Sequence, residues 1–186
     1  MLKIRQGDVE KLDLLYRRYS RRLFGFFFRM TNEGATSEDL VQNVFVRILK
    51  YKHTYKDDGD FEVWIFQLAR NVFKDHYRKN KRYAFRESME PYEQNLGVVS
   101  NKQQELERQE ELENLKNALD KLSEEKRELI TLVRYEKMKY SAVAQIFGVS
   151  ESAIKVRVHR IIKELRACYL GMDAESDLMS KSLKKE

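Results

Sequence analysis

Residues 140–165 read YSAVAQIFGVSESAIKVRVHRIIKEL. The pattern predicts two helices, near 141–147 and 151–166, joined by a tight turn. Val143 and Ala144 sit on the first helix, and Ala144 is small where two helices must cross closely. Gly148 supplies backbone freedom for the turn, Val149 anchors it, and Ser150 is placed to cap the second helix through its hydroxyl. On that second helix Ile154, Val158, Ile161 and Leu165 share one face at spacings of four, three and four. The opposite face holds Ser152, Lys155, Val156, His159, Arg160 and Lys163. An apolar back with a basic, hydrogen-bonding front is what a helix needs to lie in a major groove. Its lysines and arginines could neutralise phosphates or read guanine edges, and Val156 could touch a thymine methyl. The alternative is an ordinary amphipathic helix pair with a solvated basic face. The small Ala, turn Gly, capping Ser and basic front in one register favour DNA.

The rest of the chain fits that setting. Its 186 residues suffice for one large domain or two small ones. One Pro and seven Gly favour helices over strand-and-turn architectures. The net charge of +6 is uneven. Residues 1–83 carry +7, residues 84–113 carry −5 and residues 114–186 carry +4. Two basic blocks joined by an acidic segment suggest two nucleic-acid-facing units and a linker that avoids DNA. A single cysteine, Cys168, excludes an internal disulfide and a cysteine zinc site. No metal or cofactor is expected, since His53, His76 and His159 lie far apart. No signal-peptide core or membrane-length apolar run is present, so a cytoplasmic setting without membrane insertion is expected.

Helical periodicity places a first helix from Asp8, with Val9, Leu12, Leu15, Tyr16, Tyr19 and Leu23 recurring on one face. A turn at 32–35 precedes a second helix, opened by Thr36 and Ser37, with Leu40, Val41, Val44, Phe45, Ile48 and Leu49 inward. A polar loop at 51–60 leads to a long third helix carrying Phe61, Trp64, Ile65, Leu68 and Val72. Its far end, 74–82, is strongly basic. Periodicity fails from 85 to about 101, around Pro91 and Gly97. Helix resumes near Gln103, with Leu106, Leu112, Leu115, Leu119 and Leu122 inward. Ser123 then caps a helix that buries Leu129, Ile130, Leu132 and Val133. The tail from Gly171 is expected to fray.

Several motifs in this order resemble a bacterial sigma factor of the extracytoplasmic-function (ECF) group. Gly7-Asp8 with Leu15-Tyr16-Arg17-Arg18-Tyr19 resembles the opening helix of sigma region 2. The run Glu38-Asp39-Leu40-Val41-Gln42-Asn43-Val44-Phe45 resembles its polymerase-binding helix. The run from Phe61 to Asn71, followed by Asp75 and Arg78, resembles its promoter-melting helix. The segment from Leu119 to Leu165 resembles sigma region 4. A helix-turn-helix alone is shared by many regulators, whereas the four motifs in sequence are specific.

The resemblance implies an all-α protein of two small helical domains. Residues 1–83 would be region 2 and residues 104–170 region 4, with a flexible acidic linker at 84–103 and a polar tail at 171–186. It implies a dissociable, non-enzymatic subunit that binds core RNA polymerase, recognises the −35 and −10 elements of double-stranded promoter DNA, and melts the −10 region. An anti-sigma factor is a further partner the family implies. By position, Asp39, Gln42, Asn43 and Phe45 would meet polymerase, although Asn43 departs from the acidic residue usual there and Phe45 could equally be core. His53, Tyr55, Asp60, Phe61, Arg70, Asn71, Lys74 and Arg78 would serve the −10 DNA. There Asn71, with a donor and an acceptor, would face a flipped-out base. Lys79, Lys81 and Arg82 would continue the basic track along the backbone, and Trp64 reads as core. Ser150, Ser152, Lys155, Val156, His159, Arg160 and Lys163 would serve the −35 element. Ala142, Ala153 and Val156 replace residues that are usually polar, so the −35 preference is not legible.

Two rivals make different demands. A stand-alone DNA-binding regulator would bind duplex tightly without polymerase. A nucleic-acid enzyme would need an acidic cluster or a nucleophile with a base. The densest acidic group, Asp57, Asp58, Asp60 and Glu62, reads as loop solvation.

Overall fold

The computed structural model describes residues 1–56, 59–84 and 114–183. Asp57, Asp58, the acidic segment beyond Ala84, and Leu106 and Leu112 lie outside the described residues, as do the side chains of Lys81 and Arg82. The described residues form helices joined by turns and loops, with no strand among them.

The chain enters through a single turn, α1 (Leu2–Arg5), which buries Ile4. Gly7 adopts a left-handed φ of 110° and reverses the backbone. A 3-10 turn at Val9–Lys11 follows before α2 (Leu12–Thr31) begins. The α-helix thus starts four residues later than the sequence predicts. Asp8 makes no side-chain capping bond, and the amides of Asp8 and Val9 are already bonded to the carbonyls of Lys3 and Gly7. A backbone turn through Asp8 and Val9, and not an Asp8 side-chain cap, leads the chain into the helix.

Tyr19, Leu23, Phe26, Phe27 and Met30 form the buried stripe of α2. Asn32, at φ 57°, ends the helix in the left-handed conformation that Asn tolerates. Helix α3 (Gly34–Tyr51) packs back on α2 through Leu40, Val41, Val44, Phe45 and Ile48. After a 3-10 turn and loop, Asp60 opens α4 (Phe61–Ala84): its carboxylate accepts the Glu62 amide at 2.9 Å. Val63, Ile65, Phe66, Ala69, Val72 and Phe73 complete the N-terminal core.

The C-terminal half begins with α5 (residues 114–120), which buries Ala118, while Leu115 stands exposed rather than inward. Leu122 is buried just before α6 (Glu124–Ile130). The Ser123 side chain makes no capping bond to that helix. The chain then widens into a π-turn at Thr131–Tyr135, closed by the Glu136 amide on the Thr131 carbonyl at 3.0 Å. Lys137, at φ 54°, turns it into α7 (Tyr140–Phe147), and α8 follows (Glu151–Leu183). The last helix continues far past Gly171, where the sequence suggests fraying.

One feature is invisible in the periodicity. The buried residues of the two halves form a single continuous cluster, from Phe26 and Phe66 through Leu129 and Ile130 to Ile154. Helix α4 packs on α7, and α2 packs on α6 and the π-turn.

Candidate nucleic-acid interface

The turn between α7 and α8 is built as the sequence requires. Gly148 sits at φ 66°, its amide bonds the Gln145 carbonyl, and the Val149 amide bonds the Ala144 carbonyl. This 5→2 and 6→1 pair is the Schellman closure of a helix end. Ser150 accepts the Ala153 amide on its hydroxyl at 3.2 Å and starts α8. Ile154, Val158 and Ile161 are buried. Ser152, Lys155, Val156, His159, Arg160 and Lys163 all stand outward, Val156 at 50% exposure. Lys155 pairs with Glu151 one turn back at 2.8 Å, and that carboxylate raises its pKa. Arg157 and Glu164 tie the flanks of α8 to Glu125 and Lys126 of α6. The outward front is therefore a rigid basic surface with partners only at its edge.

A second surface runs along α4. Trp64, Leu68, Asn71, Lys74 and Asp75 line a cavity of about 420 Å3, closed by Arg47, Tyr51 and Thr54 from α3 and the turn after it. Asn71 and Lys74 are exposed at its mouth. Arg47 holds Asp75 at 2.7 Å, and Arg78 holds its other oxygen. Those two donors keep the Asp75 carboxyl below the usual carboxylate range. Behind Trp64, outside the cavity lining, further rings pack together: Tyr55 lies edge-on to Trp64 (5.4 Å) and Phe61 (5.7 Å), and Tyr19 packs on Phe61 (5.2 Å). Trp64 is half-buried, Tyr55 is buried and Phe61 is half-buried, so these rings support the loop more than they meet solvent. His53 is exposed, while Asp60 is exposed and occupied with capping α4.

Arg70 differs from its neighbours. Its side chain is only 14% exposed and points into the C-terminal half. Its Nε lies 2.8 Å from Glu128, a terminal nitrogen donates to the Ile146 carbonyl at 3.0 Å, and the guanidinium stacks over Phe147 at 4.0 Å. In this arrangement Arg70 is not available to DNA.

A third surface lies on α3. Asp39, Gln42 and Asn43 are exposed in a row that Val46 extends at 62% exposure. Phe45 is 6% exposed and lies under Tyr16, ring to ring at 4.9 Å. Tyr16 therefore presents the aromatic surface at that place. Sequence reading passed over Val46, although its spacing of four from Gln42 and seven from Asp39 puts it on their face. Nothing local marks Arg47 as the partner of Asp75. Among the described residues, no group of three or more His, Cys, Asp or Glu could hold a metal ion. No described helix is long and apolar enough to cross a membrane.

Comparison with known proteins separates the candidates. Residues 15–83 match the sigma-70 region 2 family and residues 112–165 match sigma-70 region 4. The RNA polymerase sigma factor YlaC of Bacillus subtilis is 26% identical over 157 residues, covering 84% of this chain and 91% of its own. The ECF RNA polymerase sigma factor SigX of Bacillus subtilis is 30% identical over 161 residues, covering 84% and 82%. The fold is shared with the sigma factor RpoE of Bartonella quintana, solved with the anti-sigma factor NepR. The TM-score there is 0.67 at 23% identity, over 84% of this chain and 94% of that one. With both regions present in order, and a relative of this identity and coverage, the chain belongs to the ECF RNA polymerase sigma factors.

Proposed function

We propose that three surfaces divide the work of this sigma factor. As a member of that family the chain associates with core RNA polymerase, recognises the −35 and −10 promoter elements and opens the −10 region. The assignment of residues rests on geometry. The α8 front (Ser150, Ser152, Lys155, Val156, His159, Arg160 and Lys163) reads the −35 element, because these groups stand outward on a helix whose back is buried. The cavity beside Asn71 takes one unstacked base of the melted −10 strand. Asn71 there offers a donor and an acceptor to a base edge, and Lys74 and Arg78 attract the backbone. His53 and Asp60 border this site, and Tyr55 and Phe61 hold its loop in shape. Asp39, Gln42 and Asn43 dock on polymerase, joined by Val46 and Tyr16, while Phe45 supports them from beneath. Residues 1–83 act as the polymerase and −10 unit, and residues 104–170 as the −35 unit.

The observation that carries the −10 assignment is the cavity itself, a half-open recess whose mouth holds an exposed amide, Asn71, next to a lysine. The bond-making chemistry of RNA synthesis belongs to the polymerase core, and this chain supplies recognition in the cytoplasm. A protein partner of the anti-sigma kind is part of the reading, since the RpoE structure of the same fold holds one.

Mixing the purified chain with core polymerase and a promoter library tests the reading. Defined start sites that depend on the chain are expected. Tight duplex binding by the free chain without any start site would instead favour a stand-alone regulator. Within that assay, Gln42→Ala should weaken polymerase binding with the fold intact, and unchanged affinity would remove Gln42 from the surface.

A further inference from the structure

We infer that α1 braces one wall of the Asn71 cavity through Arg5, which makes Arg5 a positioning residue for the captured base. The inference rests on the reading of that cavity as the −10 site. It adds to that site a residue outside the segment matched to region 2.

The contact itself is the first argument. A terminal nitrogen of Arg5 donates to the Tyr55 carbonyl at 2.9 Å, across 50 positions of sequence. Tyr55 stands in the loop between α3 and α4. The Thr54 hydroxyl fastens the start of that loop, on the Tyr51 carbonyl at 2.7 Å. Two backbone bonds inside the loop are long: the Tyr55 amide on the Lys52 carbonyl and the Gly59 amide on the Lys56 carbonyl, both at 3.4 Å. Bonds of that length are weak, whereas a guanidinium at 2.9 Å makes a charge-assisted one. Arg5 is thus a firm outside support for a loop whose own backbone bonds are loose.

The second argument is that α1 is itself fixed. Ile4 is fully buried, and α1 packs both on the turn before α2 and on the Lys52–Thr54 turn. Gly7, at φ 110°, reverses the chain. The Asp8 amide then returns to the Lys3 carbonyl at 3.0 Å, and the Gly7 amide bonds that of Ile4 at 3.1 Å. Glycine holds that backbone angle without the strain another residue would meet. This hook ties α1 to the start of α2, so Arg5 reaches the loop from a fixed base.

The third argument is where the braced atom sits. Tyr51 and Thr54, on the turn that leads into Tyr55, line the cavity. The Tyr55 ring packs edge-on to Trp64, which lines it as well. Movement of the Tyr55 backbone is therefore carried to two sides of the recess. A flipped base must be held by edge hydrogen bonds and packing that offset its unstacking. Both depend on walls kept within about 0.5 Å of their places. Loss of the Arg5 bond would leave Asn71 where it is and loosen the wall it faces.

The test uses the full chain. Arg5 is an exposed residue, so Arg5→Ala removes the bond and leaves the core. Its thermal melt and its affinity for core polymerase should match the parent. Amide hydrogen exchange of residues 52–56 should quicken by roughly two- to tenfold, the factor that one hydrogen bond supports. With polymerase present, permanganate reactivity of the opened −10 strand should fall by a similar factor, and preference among −10 variants of one promoter should flatten. Arg5→Lys, which keeps a charged donor, should restore part of each. In an Asn71→Ala background, Arg5→Ala should add less than about twofold, because both act on one base. Unchanged exchange at 52–56 would overturn the brace. Normal opening with unchanged preference would overturn it too, as would a loss of opening matched by an equal loss of polymerase affinity, which marks a general structural defect. If Asn71→Ala alone opens promoters normally, the −10 reading falls, and exchange then decides the brace by itself.

Discussion

Helices α4 and α8 are both basic, both amphipathic and both proposed to meet DNA, yet they use their charges differently. On α8 the outward cations keep local company at most, as Lys155 does with Glu151. On α4 neighbouring residues have separate fates. Arg70 crosses to the other half of the molecule, Arg78 turns back on Asp75, and Lys74 stays at the cavity mouth. A cation on a helical stripe is thus not by itself a DNA contact. Burial of the ion pair settles its use: Arg70 is closed off with Glu128, whereas Lys155 and Arg78 keep their pairs at the solvent surface.

The largest effect that can break this comparison comes from the back of α8. Ile154 is fully buried, so Ile154→Ala should cost about 2–5 kcal/mol in urea unfolding. Binding to −35 duplex should fall with it, and a variant that unfolds as late as the parent would mean that the α8 front does not depend on its packed back. Asn71→Ala addresses α4. Stability should move by less than about 0.5 kcal/mol, because the amide is exposed. Permanganate reactivity of the opened −10 strand should drop as if about 1–3 kcal/mol of base binding were lost. Normal opening would empty the cavity of its proposed role.

A smaller effect sharpens the contrast at the turn. Gly148→Ala meets no atom within 4 Å of its new methyl, so any penalty is the left-handed backbone alone, about 1–2 kcal/mol. A thermal melt that does not shift would show the turn relaxing to another conformation. The smallest effect belongs to Asp75. Its carboxyl is held below the usual range by Arg47 and Arg78, so the ion pair stabilises fully above the ordinary carboxylate pKa. That contribution disappears as pH falls through the lowered value. Asp75→Asn should therefore destabilise at neutral pH by a few tenths of a kcal/mol, since the group is partly exposed. The gap to the parent should close in acid, and a gap that persists there would assign the loss to shape rather than charge.

Local chemistry explains how much of the molecule could be read from the sequence. Helix periods, Gly148, Ser150 and the buried back of α8 are near-neighbour matters, and each stands where the residues require. Asp60 capping α4 is equally local. What could not be read depends on partners far along the chain. Asp8 looks like a helix cap, but a 3-10 turn follows it and the α-helix begins only at Leu12, so its carboxylate caps nothing. Phe45 and Tyr16 exchange exposure because one ring covers the other. The cavity beside Asn71 needs Arg47, from α3, to hold Asp75 in its wall.

The order of motifs along 186 residues determined by itself that the chain is helical, that its C-terminal half holds a helix-turn-helix, and which family it resembles. Those properties follow from spacing, capping and side-chain type, which act within a few residues. Only the tertiary structure decided that the two halves share one core, and that Arg70 faces Glu128 while Asn71 faces a cavity. Residues 58 positions apart are brought to 2.8 Å by packing, and no periodicity encodes which side of α4 the second half will cover.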